Sequence, residues 1–514
     1  FSRGLVCLGM SPPGFCFAAN TAGERATIRA MSLLKELRMS QRKHRISMMT
    51  LFILLGLAPL CLAQSQDDVK QQSHDIFKQL VEINTTDSVG NVTTATEALA
   101  KRLRDAGFPE QDVIVAGPND RKKNLLVRLH GAGQQKPILF LAHLDVVEAR
   151  REDWTTDPFQ FVEKDGYFYG RGSQDIKDGA AILTENFIRL KKSGVTPKGD
   201  LILALTADEE GGNFNGVEWL VKHHRDWIDA EYCVNLDGGD FVRNQGKKIY
   251  GAVQASEKVY VDFQFEVTNP GGHSSLPKRD NAIYHLAEGL TRLANYSFPA
   301  ELNEITRSML EKSAAIEGGP LATEMKAAAS IPPNNAAIAR LSEDTFYNAI
   351  LRTTCVATML SGGHAPNALP QAARANVNCR ILPGEDPSKI KDTLAKVVDD
   401  PQIKVSFVQE HDADGNVIPP EKVPPSPLRP ALMKSVESAA ADVWGPLPIM
   451  PVMDTGASDG RYLRMAGIPT YGISGVFLDT DNIRAHGRDE RVRIQDFYDG
   501  VEFNYKLMQL LAVK

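Results

Sequence analysis

Three consecutive acidic residues stand where a short apolar run ends. Asp208, Glu209 and Glu210 follow the run at 200–206 and precede two glycines. Carboxylates that cluster at the end of a buried strand repel one another unless cations neutralise them. Successive side chains diverge, so Glu210 can face a metal ion while Glu209 faces the water that is activated there. The pattern predicts a catalytic metal site, and a solvated acidic loop is the alternative.

A histidine and an aspartate end another apolar run. His143 closes the run at 137–143, and Asp145 follows two residues later. Period-two alternation points both side chains the same way. A neutral imidazole is a good zinc ligand, and a carboxylate two residues on can accept its other N–H group. We therefore expect His143 to be a ligand that Asp145 orients, although taken alone the pair fits an ordinary structural contact as well.

Further candidate ligands lie beside glycines. Asp175 follows the glycine-rich stretch 169–174 and precedes a predicted helix, which Asp175 or Asp178 could alternatively cap. Asp237 precedes two glycines, and a histidine comes late in the chain. One histidine or carboxylate at each of five loops suits two zinc ions that share a carboxylate. The five candidate ligands are His143, Asp175, Glu210, Asp237 and His486.

These motifs resemble the dizinc metallopeptidase family that includes glutamate carboxypeptidase, carboxypeptidase S, aminoacylase and carnosinase. The resemblance covers nearly all of residues 70–512. It implies that His143 and Asp237 bind one metal ion, that Glu210 and His486 bind the other, and that Asp175 bridges them.

The resemblance also implies roles for residues around the metals. Glu209 would be the general base and Asp145 would orient the histidine ligand. The family's lid domain supplies a histidine that polarises the scissile carbonyl, and His273 lies in the matching segment. Asn367 and Arg380 would bind the substrate carboxylate, which a guanidinium fork suits; a solvated strand arginine is the alternative for Arg380.

Strands and helices must position these side chains. Short apolar runs at 124–129, 137–143 and 200–206 alternate with a predicted helix at 179–192. This alternation predicts an α/β sheet covered by helices on both faces. The resemblance makes this a zinc-peptidase-like catalytic domain with a mixed central sheet.

A second domain begins near residue 258, where strand-like alternation with one solvated face appears. Its order, β-α-β-β-α-β, is ferredoxin-like, and it would be an inserted α+β lid and dimerisation domain. The predicted elements are a strand at 259–267, a helix at 281–294, strands at 354–360 and 373–382, a helix at 387–398 and a strand at 403–408.

These patterns divide the chain at three points. We expect a leader at 1–63, the catalytic domain at 64–256 and 413–514, and the lid at 257–412. An insertion near 299–348 interrupts the lid, being longer than an ordinary loop.

The leader resembles a secretory signal. Basic residues at 42–45 precede an apolar run at 48–62 and a small residue, Ala63, after which we predict cleavage. The run is shorter than the ~20 residues that span a bilayer. We expect a periplasmic or secreted protein without a stable membrane span, and an uncleaved membrane anchor is the alternative.

Charge and cysteine content exclude other classes. Without 1–63, which holds eight basic and two acidic residues, the chain has 50 basic and 62 acidic residues and a formal net charge of −12. Nucleic acid is therefore not an expected partner. Cys233, Cys355 and Cys379 remain in this part. Three buried thiols are the favoured interpretation, and a Cys355–Cys379 bridge is the alternative.

The predicted activity is zinc-dependent hydrolysis of an amide bond next to a free carboxylate. Carboxypeptidase-like action on peptides is favoured; an N-acyl amino acid substrate, a dipeptide substrate and a non-catalytic metal-containing binding protein are alternatives. Two zinc ions are expected, and mixed nitrogen and oxygen ligands would also accept cobalt or manganese. In many members of the resembled family the lid histidine comes from a partner subunit, so His273 could act across a homodimer.

Overall fold

Amphipathic helices and apolar strands alternate along the chain in the computed structural model, which describes residues 65–412 and 414–513. The predicted leader and its cleavage site lie outside the described residues. Within the described part, no helix is both long and apolar enough to cross a membrane.

The α-helices follow the amphipathic segments of the sequence. They are α1 (Gln66–Glu82), α2 (Val92–Asp105), α3 (Lys177–Ser193), α4 (Gly216–His223), α5 (Ala282–Ala294), α6 (Glu304–Glu317), α7 (Gly319–Ala329), α8 (Asn335–Leu341), α9 (Thr345–Leu351), α10 (Pro387–Val398), α11 (Pro430–Trp444), α12 (Gly460–Met465) and α13 (Ile494–Ala512).

The strands vary in length from two residues to eleven. They are β1 (Val113–Ala116), β2 (Asn124–Leu129), β3 (Ile138–His143), β4 (Val162–Lys164), β5 (Tyr167–Tyr169), β6 (Leu201–Thr206), β7 (Tyr232–Asn235), β8 (Phe241–Asn244), β9 (Lys247–Glu257), β10 (Val259–Thr268), β11 (Gly272–His273), β12 (Thr354–Gly362), β13 (Ala368–Leu369), β14 (Ala372–Ile381), β15 (Lys404–Phe407), β16 (Glu410–His411), β17 (Val417–Ile418), β18 (Ile449–Asp454), β19 (Thr470–Gly472), β20 (Phe477–Asp479) and β21 (Arg491–Arg493).

The main sheet is mixed and has helices on both faces. Its order is β1-β2-β6-β3-β7-β19-β9-β8-β20, with β18 also paired to β9. The central neighbours β6, β3, β7 and β19 run parallel. Ile138 and Phe140 of β3 enter one core, and Leu139 and Leu141 enter the core beneath α4 and α12. Both faces are buried, as the continuous apolar run predicts.

A second sheet has its own core. Its order is β12-β14-β10-β15, every pairing is antiparallel, and α5 and α10 cover one face. Together these elements give the β-α-β-β-α-β order of the ferredoxin-like prediction. The apolar side chains of β10 alternate with half-exposed ones, which explains the period of two in the sequence.

The insertion packs on the core of the main sheet and not on the core of the second sheet. Met309 and Met325 share one hydrophobic cluster with Met450 of β18. Lys312 of α6 donates a hydrogen bond to the carbonyl of Ile449 at 2.8 Å. The predicted lid span includes residues 299–348, but their apolar faces cover β18. The insertion therefore belongs to the part of the molecule that is built around the main sheet, which we call the body.

Two of the three cysteines are joined. Cys355 and Cys379 are cross-strand partners on β12 and β14 and form a disulfide. The favoured interpretation of three thiols was therefore wrong for this pair, because their strands place the two side chains opposite each other. Cys233 of β7 is a buried thiol.

Candidate active site

Parallel strands bring the predicted ligands to one edge of the main sheet. His143 is the last residue of β3, and Glu209 and Glu210 follow its parallel neighbour β6. Asp237 follows β7, which pairs with the other side of β3. The carboxyl ends of parallel neighbours meet at the same edge, which explains why residues far apart in the chain converge here.

Asp175 lies between the two histidines. Its Oδ1 is 3.1 Å from His143 Nε2, and its Oδ2 is 3.0 Å from His486 Nε2. His486 Nε2 is also 2.8 Å from Glu210 Oε1. One carboxylate thus contacts both imidazoles from its two oxygens, which is the arrangement that a bridging ligand requires.

The potential ligand atoms form overlapping groups. The ligand atoms of His143, Asp175 and Asp237 lie within 4.8 Å of one another, and so do those of Asp175, Glu210 and His486. The five predicted ligands therefore converge as two triads that share Asp175. Glu209 forms a third such group with His143 and Glu210, so it lies beside the predicted ligands.

The cluster concentrates negative charge in a buried place. Burial, reinforced by neighbouring carboxylates, raises the pKa of Glu209 and Asp237 well above their usual values. Hydrogen bonds to Asp175 and Glu210 raise the pKa of His486 to about 10. These raised pKa values show that the carboxylates repel one another when ionised, so a positive charge between them would stabilise their ionised forms. Imidazole nitrogens and carboxylate oxygens are the donors that zinc, cobalt and manganese accept, so the residues present fit such ions.

Asp145 contacts the site differently from the prediction. His143 Nδ1 is 3.1 Å from the backbone carbonyl oxygen of Asp145 but 3.7 Å from its carboxylate. The carboxylate instead accepts hydrogen bonds from the backbone N–H groups of Glu209 (3.1 Å) and Glu210 (2.9 Å). A carbonyl can hold an imidazole tautomer as a carboxylate does. Asp145 therefore orients His143 with its backbone and holds the double-glutamate loop with its side chain.

Glu490 joins the loops that carry Asp175 and His486, a role that the sequence does not predict. Its Oε1 accepts hydrogen bonds from the N–H groups of Gln174 (2.7 Å) and Asp175 (3.1 Å). Its Oε2 accepts from Arg171 at 2.5 Å. The buried carboxylate thus holds the turn before Asp175 from a position four residues after His486. Its position close to His486 was the only sequence signal for a role at the site, and that position does not indicate which backbone amides donate to the carboxylate.

Lys122 and Asp459 support the loop after β6 from distant parts of the chain. Lys122 pairs with Asp208, and with Asp87 at 2.9 Å. Asp459 accepts hydrogen bonds from Thr206 Oγ1 (3.1 Å) and Asn215 (2.6 Å). No local pattern in the sequence indicates these contacts, because each partner lies in a different element.

Arg380, on β14 of the second sheet, lines a cleft that the cluster also lines. Arg380 and Tyr260 line the same cavity as Glu209, Glu210 and His486. The guanidinium lies 4.7 Å from the centre of the Tyr260 ring. Among the described residues, no hydrogen bond or ion pair engages this guanidinium. An unpaired cation that faces a cleft can receive an anion.

His273 and Asn367 lie together but outside this cleft. His273 on β11 pairs with Ala368 of β13, and the N–H group of Ser274 donates to the carbonyl of Asn367 at 3.1 Å. The exposed His273 contacts Ser275 Oγ through Nδ1 at 2.7 Å. Neither His273 nor Asn367 is among the described residues that line the cleft. The structure does not bring these two predicted residues to the cluster of the same chain.

Comparisons with known proteins agree with this architecture. The chain is 27% identical over 388 residues to probable carboxypeptidase S-like 2 of Dictyostelium discoideum, covering 73% of this chain and 71% of that protein. It is 28% identical over 383 residues to the N-fatty-acyl-amino acid synthase/hydrolase PM20D1 of Xenopus tropicalis, covering 73% and 72%.

A solved structure is similar in fold. The M20 family metallo-carboxypeptidase Sso-CP2 of Sulfolobus solfataricus superposes with a TM-score of 0.62 at 15% identity, covering 85% of this chain and 99% of that chain. The model of peptidase family M20/M25/M40 matches residues 139–510, which include every predicted metal ligand and lid residue. This chain belongs to peptidase family M20/M25/M40.

Proposed function

We propose that the protein hydrolyses an amide bond that lies next to a free carboxylate. The observation that carries this proposal is Arg380, whose guanidinium makes no hydrogen bond or ion pair among the described residues and lines the same cleft as Glu209. A planar guanidinium can bind both oxygens of a carboxylate. The substrate's carboxylate and its scissile bond would then lie in one cleft.

Two divalent metal ions, with zinc favoured, would be held by the ligand cluster. His143 and Asp237 would bind one, Glu210 and His486 the other, and Asp175 both. Such ions, when bound, lower the pKa of a water molecule and polarise the substrate carbonyl. The donor set of the cluster and the raised carboxylate pKa values support this assignment.

Glu209 would move the proton. Its carboxylate would take a proton from the attacking water at one oxygen and deliver it to the leaving nitrogen, which is general base and then general acid catalysis. Asp145 supports this role, because its carboxylate holds the N–H group of Glu209 in place. The side chain of Glu209 makes no hydrogen bond to another described residue, so its oxygens are free to exchange a proton.

A second copy of the chain would supply His273 and Asn367. Both lie outside the cleft of their own chain, and the lid offers a surface on which two copies could meet. β12 is an edge strand with Val356, Met359 and Leu360 exposed by 60%, 71% and 72%. Pairing of two such edges about a twofold axis would continue the sheet and cover these side chains. His273 would then polarise the carbonyl in the partner's cleft.

The domain roles and location follow the same proposal. Residues 64–256 and 413–514 would form the catalytic domain, and 257–412, apart from the insertion, would form the lid. The Cys355–Cys379 disulfide supports a periplasmic or secreted location, because disulfides persist in oxidising compartments.

Carboxypeptidase-like action on peptides is the first candidate activity. An N-acyl amino acid is the second, because the Xenopus relative is named as an N-fatty-acyl-amino acid synthase/hydrolase. Arg380 suits both, since each substrate carries a carboxylate beside the amide.

A substrate panel tests the proposal. Peptides, dipeptides and N-acyl amino acids would be offered to the protein with zinc, each beside its carboxamide form. We expect hydrolysis of at least one free acid and strong preference over its carboxamide, and we expect Arg380→Met to remove that preference. Bound zinc with no hydrolysis of any amide would instead support a metal-containing binding protein.

A further inference from the structure

A buried lysine stands where the chain passes from the main sheet to the lid. Lys258 lies between β9 and β10, and it is fully buried. Its N–H group donates to the carbonyl of Asp454 on β18 at 2.9 Å. The backbone here is therefore attached to the body, at the point from which the first lid strand starts.

The side chain of Lys258 reaches two other segments. Its Nζ donates to the carbonyl of Arg352, and to the carbonyl of Arg380 at 2.8 Å. Among the described residues it forms no ion pair with a carboxylate. Burying an ammonium group without an opposite charge is costly, and burial lowers the pKa of Lys258 to about 7. A leucine or methionine would fill this position without the cost of burying an ammonium group. The presence of a lysine here therefore points to a role for its two hydrogen bonds.

Arg352 connects Lys258 to the insertion. It follows α9, the helix in which the insertion ends. Its guanidinium donates to the carbonyl of Phe298 at 2.9 Å and to Ser342 Oγ at 2.8 Å. Phe298 is the residue before the insertion and Ser342 lies within it. Arg352 therefore joins the start of the insertion to its last part through hydrogen bonds. Because the insertion packs on the body, the carbonyl of Arg352 is a fixed point.

Arg380 is the other end of this connection. Its carbonyl accepts from Lys258, while its guanidinium lines the cleft beside Tyr260, its cross-strand partner on β10. One ammonium group thus bonds the backbone of a residue fixed to the body and the backbone of the residue that faces the substrate site.

We propose that Lys258 is a positioning residue that holds Arg380 at a set place over the cleft, with the insertion as the fixed support. This inference rests on the proposed function, because it takes Arg380 as the group that binds the substrate carboxylate. The insertion thereby acquires a role in substrate selection without contacting substrate.

The experiment compares a free-acid substrate from the panel with its carboxamide in the full-length zinc-loaded enzyme. In Lys258→Met we expect KM for the free acid to rise about tenfold and KM for the carboxamide to change less than about twofold. Arg292→Met is the matched control, because Arg292 also donates a hydrogen bond to a backbone carbonyl, that of Val398 at 2.6 Å, but contacts neither Arg380 nor the insertion. It should leave both KM values unchanged.

A double variant tests the route of the effect. If Lys258 acts through Arg380, Lys258→Met should add nothing to the KM of Arg380→Met. An equal rise for both substrates, or the same rise in the Arg380→Met background, would overturn the inference. An unchanged substrate preference in Arg380→Met itself would refute the proposed function and this inference together, whereas an unchanged preference in Lys258→Met alone would refute only the inference.

A measurement on the unaltered protein does not depend on whether Lys258→Met folds. Hydrogen exchange of the amides at 345–353 would be followed with and without N-acetylleucine, and with its carboxamide. We expect the free acid alone to slow exchange there. Unchanged exchange with saturating N-acetylleucine would overturn the link between Arg380 and the insertion.

Discussion

Glu209 and Glu210 are neighbours in the chain that meet different groups. Glu210 contacts His486, whereas Glu209 makes no side-chain hydrogen bond among the described residues. Both backbone amides are held by the one carboxylate of Asp145. Because the backbone is fixed at both residues, their side chains can diverge without the loop moving. Under the proposed function, this arrangement places a metal ligand and a proton carrier at adjacent residues.

The first prediction separates these two roles. Glu209→Gln should lower kcat about a thousandfold, because the amide cannot take up the proton, while metal content stays unchanged. Glu210→Gln is the matched control and should lower metal content along with activity. Steady-state kinetics and metal analysis of the same preparations check both. Loss of metal from Glu209→Gln would make Glu209 a ligand.

The residues that carry recognisable motifs could be predicted from the sequence. Three of the five candidate ligands, His143, Glu210 and Asp237, lie together because they follow parallel neighbouring strands, which the strand pattern implied. Asp175 and His486 reach the cluster from loops outside these strands. Asp145 was found, but the partner of its carboxylate was not, since the amides it holds lie on a neighbouring strand's loop. Lys122 and Glu490 could not be assigned, because their partners are set by tertiary packing and not by spacing along the chain.

At the scale of elements, α3 carries an acid in the middle of the core. Glu185 is fully buried, and neither of its carboxylate oxygens has a hydrogen-bond partner among the described residues. Burial raises its pKa to about 8, although the cations of Arg189, Lys192 and Arg102 oppose this. The folded protein therefore holds a proton here that the unfolded chain releases near its ordinary value of 4.5.

The second prediction follows from the sign of this shift. Because the folded state binds the proton more tightly, stability is lost as pH rises from about 4.5 to about 8. Glu185→Gln has no proton to lose, so its advantage over the unaltered protein should grow by about 3 kcal/mol between about pH 5 and about pH 8. Urea unfolding at both pH values measures the difference.

A surface control keeps that result interpretable. Glu97 is an exposed glutamate on α2, and Glu97→Gln should give the same stability difference from the unaltered protein at both pH values. A Glu185→Gln advantage that does not grow with pH would mean that Glu185 is ionised in the folded protein.

The elements were largely predictable from periodicity. The lid strand at 259–267 lies within β10, and the predicted helices at 281–294 and 387–398 match α5 and α10 closely. The packing partner of the insertion was not predictable, because an amphipathic helix does not reveal which core it covers. The disulfide could not be predicted from the number of cysteines. It forms because the register of β12 against β14 places Cys355 opposite Cys379.

At the scale of the whole molecule, the site of one chain is incomplete under the proposed function. His273 and Asn367 lie away from the cleft, and the apolar edge of β12 is exposed. A dimer built on that edge would cover the patch. It would also bring His273 of one chain to the cleft of its partner.

The third prediction concerns this edge. Met359→Lys with Leu360→Lys should convert a dimer to a monomer and remove most activity, because two charges would be buried at the interface. Leu321→Lys, on an exposed part of α7, should leave the dimer intact. Analytical ultracentrifugation and activity assays check both variants. An active monomer of the unaltered chain would contradict the dimer.

The fourth prediction tests action between subunits. His273→Ala and Glu209→Ala should each be inactive, but heterodimers of the two should recover activity, because one of their clefts combines an intact Glu209 with the partner's intact His273. No recovery from proven heterodimers would reject action across the interface.

Metal content and activity measured on the same sample test the central claim most directly. The account predicts two divalent ions per chain, activity that falls to background when a chelator removes them, and recovery when zinc, cobalt or manganese is restored. A protein that keeps full activity after chelation, with no divalent ion bound, would contradict it.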